Sequence, residues 1–149
     1  MTPGSPEGFR AYIDAFNRSD YAAFGDYYAD DVVLVIAGAR ELRGKQAIFD
    51  FYRGVKTQTR RTIKVLQVFC DGDGLAAELE SEFLALEDIP DFQSGPLKAG
   101  DRMYINTFVL YALKNGLYSR IRSAVFRRRF TPAAPEVLSA LPVSKETSL

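Results

Sequence analysis

At 149 residues, 47% hydrophobic and 26% charged, the chain fits one globular domain with enough core to need no disulfide or metal. Nineteen Lys and Arg balance nineteen Asp and Glu, so no overall field draws in nucleic acid or an anionic membrane. The absence of histidine and the single cysteine, Cys70, exclude a Ser-His-Asp or Cys-His engine, an intrachain disulfide and a multi-cysteine zinc site.

Ser5 followed by Pro6 reads as an N-cap with proline in the first helical position. Phe9, Tyr12, Ile13 and Phe16 then recur at the spacing of one helix face. Asn17 to Asp20 breaks that helix and caps a shorter one carrying Tyr21, Phe24, Tyr27 and Tyr28, which Ala29-Asp30-Asp31 ends. Val32 to Ile36 is a β-branched strand, turned at Ala37-Gly38-Ala39, with Glu41 to Arg43 as a short return strand before Gly44. A third helix places Ala47, Ile48, Phe51, Tyr52 and Val55 on one face.

From Arg60 the period becomes extended. Strands are predicted over Thr62 to Cys70, Leu75 to Leu86, Arg102 to Leu113 and Leu117 to Phe130. Asp71-Gly72-Asp73-Gly74 and Lys114-Asn115-Gly116 are turn sequences that close antiparallel hairpins. Glu87 to Gly100, with two prolines, is longer than a hairpin loop and is expected to act as a lid. The order predicts an α+β fold: three N-terminal helices packed in the concave face of a strongly curved mixed, mostly antiparallel sheet, with a pocket between. Residues 1–5 are expected to be a flexible N-terminus, 6–130 the domain, and 131–149 a mobile or docked tail carrying Val137, Leu138 and Leu141.

Apolar runs such as Val32 to Ala37 are too short to cross a bilayer, and the N-terminus lacks the basic and apolar regions of a secretory leader. A cytoplasmic location is expected, which the lone cysteine fits. Arg127 to Arg129 reads as a solvated strand end, and no nucleic-acid or membrane partner is expected.

Local matches then point to a family. They are Tyr12 through Asn17 to Asp20, Tyr28-Ala29-Asp30-Asp31 before the first strand, Gly44 with Ala47-Ile48 and Phe51-Tyr52, and Gly116 before the last strand. Over residues 7 to 130 the chain resembles the nuclear transport factor 2-like superfamily, with its SnoaL-like polyketide cyclases, ketosteroid isomerases and limonene epoxide hydrolases. The resemblance implies a cone whose interior is a ligand pocket and a homodimer through the outer sheet face. Tyr12 matches the isomerase tyrosine that hydrogen-bonds substrate oxygen, and Asn106 falls where a second oxyanion donor sits. Ile36 occupies the place of the isomerase base and cannot accept a proton. Glu80-Ser81-Glu82 with Ser123 is the nearest counterpart of the hydrolase acids, lacking their arginine and second aspartate. The resemblance therefore implies the fold and pocket without a named reaction.

Glu78, Glu80 and Glu82 alternate along one strand, so all three carboxylates leave one face, about 7 Å apart. Matching the strand to the family turns them inward with Arg102, Tyr104, Asn106 and Phe108. Crowding and desolvation would then raise the pKa of at least one toward general acid or base use. The opposite phase puts Leu79, Phe83, Ile105 and Val109 in the core and makes the glutamates a solvated face paired with Arg120, Arg122 or Lys64. On the first phase Glu80, Glu82, Tyr12 and Asn106 are the candidate catalytic residues. Arg102, Tyr104, Phe16, Tyr28, Phe51, Phe108 and Ser123 are then the candidate substrate contacts. No metal or cofactor is expected, and the ligand would be an apolar, oxygenated small molecule. The two function classes left open are a cofactor-independent isomerase, cyclase, dehydratase or hydrolase and a non-catalytic binding or adaptor domain.

Overall fold

A computed structural model describes residues 2–36, 39–92 and 94–133. The helices are α1 (Pro6–Asn17), α2 (Tyr21–Gly25) and α3 (Lys45–Gln58). The strands are β1 (Tyr28–Ile36), β2 (Arg40–Arg43), β3 (Thr59–Cys70), β4 (Gly74–Ala85), β5 (Arg102–Lys114) and β6 (Leu117–Thr131). They form one six-stranded sheet in the order β2-β1-β6-β5-β4-β3. Every pairing is antiparallel except β1 with β6, so the sheet is mixed as expected.

Local chemistry accounts for the ends of these elements. The Ser5 hydroxyl accepts from the Gly8 N–H, and Pro6 occupies the first turn of α1, where its missing N–H costs nothing. Asp20 caps α2 by accepting from the Ala23 N–H. Asn115 and Gly116 both have positive φ, the geometry a two-residue hairpin needs to join twisted strands, and they connect β5 to β6. Tyr28 starts β1 rather than extending α2, a correction to the helical reading. Gly25 ends the helix, and Tyr28 pairs with Tyr118 of β6 while the Tyr118 N–H donates to the Tyr27 carbonyl. The turn at Ala37-Gly38 and the tail cluster at Val137, Leu138 and Leu141 lie outside the described residues.

Register shifts interrupt three of the strand ladders at four places: Tyr28/Val33, Val65/Gln67, Asn106/Thr107 and Ala112/Leu113. Each adds local bend and twist, which curls the sheet around the helices. The main core joins Phe9, Tyr12, Ile13 and Phe16 of α1, Phe24, Ile48, and the helix-facing residues Leu75, Ala77, Leu79, Val109, Tyr111 and Ile121. Full burial of each large side chain contributes about 1.5–3 kcal/mol. A second core sits at the other end of β4 and β5, where Phe83, Ala85, Met103 and Ile105 meet Ile89 and Leu97 from the segment between these strands. That segment was expected to be a lid. Its Ile89 and Leu97 pair as a β-bridge and are 1% and 2% exposed, so it is anchored as a plug over this end of the sheet.

Candidate functional site

The direction of the β4 side chains decides where acid–base chemistry could occur. Leu75, Ala77, Leu79, Ser81, Phe83 and Ala85 are all buried on the helix side, while the residues between them are half-buried on the opposite face. Glu78, Glu80 and Glu82 therefore leave the outer face of the sheet. The expectation that they enter the concave side with Tyr12 is corrected. Helix α1 needs an apolar floor, and Leu75, Ala77 and Leu79 supply it, whereas inward glutamates would be stranded among aromatics.

Cross-strand partners share a face, so Glu80 opposite Asn106 and Glu82 opposite Tyr104 carry these residues outward too, with Phe108 opposite Glu78 and Arg102 opposite Leu84. Here Glu80 and Glu82 already have partners. Arg129 Nη2 lies 3.0 Å from Glu80 Oε2. Tyr104 donates its hydroxyl to Glu82 Oε2 at 2.8 Å, and Arg102 Nε stands 3.4 Å from the same oxygen. That hydrogen bond to Glu82 is also the main cause of the raised pKa of Tyr104. Asn106 is fully buried; its Oδ1 accepts from Arg127 Nε at 3.2 Å, and its Nδ2 has no partner among the described residues. Phe108 is 55% exposed and stacks on Phe126. The arginines that pair these acids are Arg129 and Arg102, not the Arg120 and Arg122 suggested by the sequence; Arg120 reaches Glu41 instead.

The helix side holds the other candidates. Tyr12, Tyr28 and Phe16 are each 2% exposed or less. The Tyr12 and Tyr28 hydroxyls are 2.8 Å apart, and Tyr111 donates to Tyr12 at 3.3 Å. Burial holds the pKa of all three phenols well above the usual value, so at neutral pH they are protonated hydrogen-bond partners and no use as bases. Phe51 packs beside Tyr52 on α3. Ser123 shares the face of buried Val109 but is itself exposed, because the cover over β6 stops at Ile121. The proposed constellation thus falls on two faces: Tyr12, Tyr28, Phe16 and Phe51 on one, Glu80, Glu82, Asn106, Arg102, Tyr104 and Phe108 on the other.

Two helix-side cations escaped the sequence reading. Arg61 has the phase of Ile63 and Val65 on β3, an arginine at a core position, and that pattern was the available signal. Lys56 closes α3 in its last turn, where a cation complements the helix dipole.

A cleft of about 780 Å³ lies between the plug segment and the end of β6. Pro90, Pro96, Leu97, Ala99, Phe130, Pro132 and Ala133 line it, with Asp88, Lys98 and Asp101 as its charged groups. Both aspartates are occupied by the backbone: Asp88 accepts from the Ala99 N–H, and Asp101 from the Lys98 and Ala133 N–H groups. Among the described residues no group of three or more metal-ligating side chains is placed to hold a metal ion. No helix among them is long and apolar enough to cross a membrane.

Residues 9–121 match the SnoaL-like domain family. The chain belongs to this family. Solved structures agree on the fold of this SnoaL-like domain. A candidate polyketide cyclase from Silicibacter sp. TM1040 superposes with a TM-score of 0.71 at 17% identity, covering 84% of this chain and 90% of that one. An LEH-like epoxide hydrolase from M. tuberculosis gives 0.66 at 14% identity, covering 84% of each chain. A computationally designed 17-OHP binder gives 0.65 at 16% identity, covering 87% of this chain and 97% of that one. At these identities the likeness is one of fold alone. No curated protein matches the sequence.

Proposed function

We propose that this SnoaL-like domain binds an apolar, oxygenated small molecule in the cleft beside the plug segment, and that it does so without acid–base chemistry from Glu80 or Glu82. The observation that carries this reading is the phase of β4, which directs both carboxylates to the outer face, where arginines and Tyr104 engage them. A cleft of about 780 Å³ with mainly apolar walls suits a terpenoid, steroid or aromatic polyketide. The superfamily fold supports either catalysis or binding, as the hydrolase and the designed binder illustrate. The lone Cys70 suits a reducing compartment such as the cytoplasm.

The test is the melting temperature in the presence of a panel of those three ligand classes. At least one should stabilise the wild type, and Ala99→Trp, which fills the cleft, should abolish the shift without lowering the ligand-free midpoint. No stabilisation by any class, or an equal shift in the variant, would remove the cleft from the account.

The same reading includes a homodimer through the outer face. Phe69, Phe108, Leu110 and Phe126 are each 47–61% exposed; Phe108 and Leu110 of β5 sit between the β4 glutamates and the β6 arginines, with Phe126 on β6 and Phe69 on β3 beyond β4. A two-fold axis along β5 would lay each copy's glutamates over the other's Arg122, Arg127 and Arg129, making the surface self-complementary. Phe108→Glu should convert a dimer to a monomer by light scattering; a monomeric wild type would exclude the dimer.

A further inference from the structure

From the placement of Lys56 and Arg61 we infer a second binding site, for the carboxylate or phosphate group of a small anion, in the cleft between the ends of α1 and α3 and the start of β3. The site stands apart from the apolar cleft and does not depend on it. Its cavity measures about 230 Å³ and is lined by Asn17, Ser19, Lys56, Thr59, Arg60, Arg61 and Leu86. A space of that size takes a small oxyanion or the head of a larger molecule.

The two cations are held in place by aromatic rings and neutral groups. Lys56 Nζ lies 4.1 Å from the centre of the Phe16 ring and donates to the Phe16 carbonyl at 2.6 Å and the Ser19 hydroxyl at 3.0 Å. An ammonium has three N–H donors, so one remains. The Arg61 guanidinium sits 5.3 Å from the Phe16 ring centre, 5.7 Å from Tyr52 and 4.9 Å from Phe83. Among the described residues its one hydrogen bond is a long one, 3.3 Å from Nη2 to the Ser81 hydroxyl, and its buried Nε has no partner there.

Among the described residues neither cation forms an ion pair with a carboxylate. The acids of β4 lie on the outer face, away from them. Ring faces offset part of the cost of removing these charges from water, yet they leave donors unmade and two positive charges lining one small cavity. Burial, and then the Arg61 charge, lowers the Lys56 pKa to about 8, which still leaves the ammonium mostly protonated at neutral pH. An oxyanion would accept from Arg61 and from the third Lys56 N–H and would cancel the repulsion between them.

The experiment is a titration of the protein with inorganic phosphate and, separately, with acetate, each at constant ionic strength balanced by chloride. The thermal midpoint and the backbone amide resonances of residues 56–61 are followed. At least one anion should give a saturable rise in midpoint with one-site resonance shifts, and the arm that does so identifies the group recognised. Lys56→Gln should weaken that binding tenfold or more, and Arg61→Gln should do the same if it folds. Should the Arg61 variant fail to fold, the Lys56 variant alone carries the decision. Absence of a saturable response to both anions, or equal affinity in Lys56→Gln, would overturn the site.

Discussion

The two faces of β4 and β5 carry opposite inventories. The helix side has tyrosines, phenylalanines and two cations without carboxylate partners among the described residues, whereas the outer side has the glutamates, each of Glu80 and Glu82 beside an arginine. A strand alternates with a period of two, so a single choice of phase moved every acid of β4 to one side at once. The function class follows that choice more than the identity of any one residue. On the concave side a proton acceptor from β4 is absent; on the convex side Glu80 and Glu82 are engaged by structural partners.

Exchanging the chemistry of the faces gives the largest expected effect. Leu79→Glu would bury an unpaired carboxylate against α1 and should cost about 3 kcal/mol or more in urea unfolding. Glu80→Leu loses only a half-exposed ion pair with Arg129 and should stay within about 1 kcal/mol of wild type. Equal losses in the two variants would erase the contrast between the faces.

Alkaline pH separates two groups on the helix side. Lys56 has a folded pKa of about 8 against an ordinary 10.5, so between these values the unfolded chain binds the extra proton and stability rises with pH. Tyr12, Tyr28 and Tyr111 have folded values well above 10.0. Their contribution is complete below that pH and is lost as pH climbs past it, because the unfolded phenols ionise first. The thermal midpoint should therefore pass through a maximum between about 8 and 10, and Lys56→Gln should flatten the rising limb. A midpoint that falls steadily from pH 8 in the wild type would contradict the Lys56 part.

A smaller effect is expected at the centre of the tyrosine cluster. Tyr12→Phe removes a hydroxyl bonded to Tyr28 and Tyr111 and should cost about 1 kcal/mol, measured by denaturant midpoint. A loss no greater than that of the half-buried Tyr27 changed to Phe would show the cluster to be wet.

These contrasts also mark what could be read from the chain. Ser5-Pro6, Asn115-Gly116 and the helix-face spacing of Phe9, Tyr12 and Phe16 are local signals with local causes, and each lies where such signals place it. The phase of β4 is not local. Leu79, Ser81 and Phe83 alternate with Glu80 and Glu82 under either register, and the decision comes from the apolar floor that α1 requires across long sequence separation. Tyr28 was assigned to a helix because its aromatic spacing fits one, and only its pairing with Tyr118 reveals the strand. Arg61 was legible in principle, since an arginine two residues before Ile63 in a strand pattern falls on the buried face, where a cation is out of place.

The central claim is that binding on this domain proceeds without Glu80 or Glu82 chemistry. The most direct measurement takes the best-stabilising ligand of the panel, incubates it with wild type and with the Glu80→Gln/Glu82→Gln double variant, and follows both dissociation constant and chemical identity of the ligand. The account predicts equal affinity and an unchanged ligand recovered from both proteins. Conversion of the ligand by wild type, with none by the double variant, would contradict it and return the two glutamates to the catalytic role.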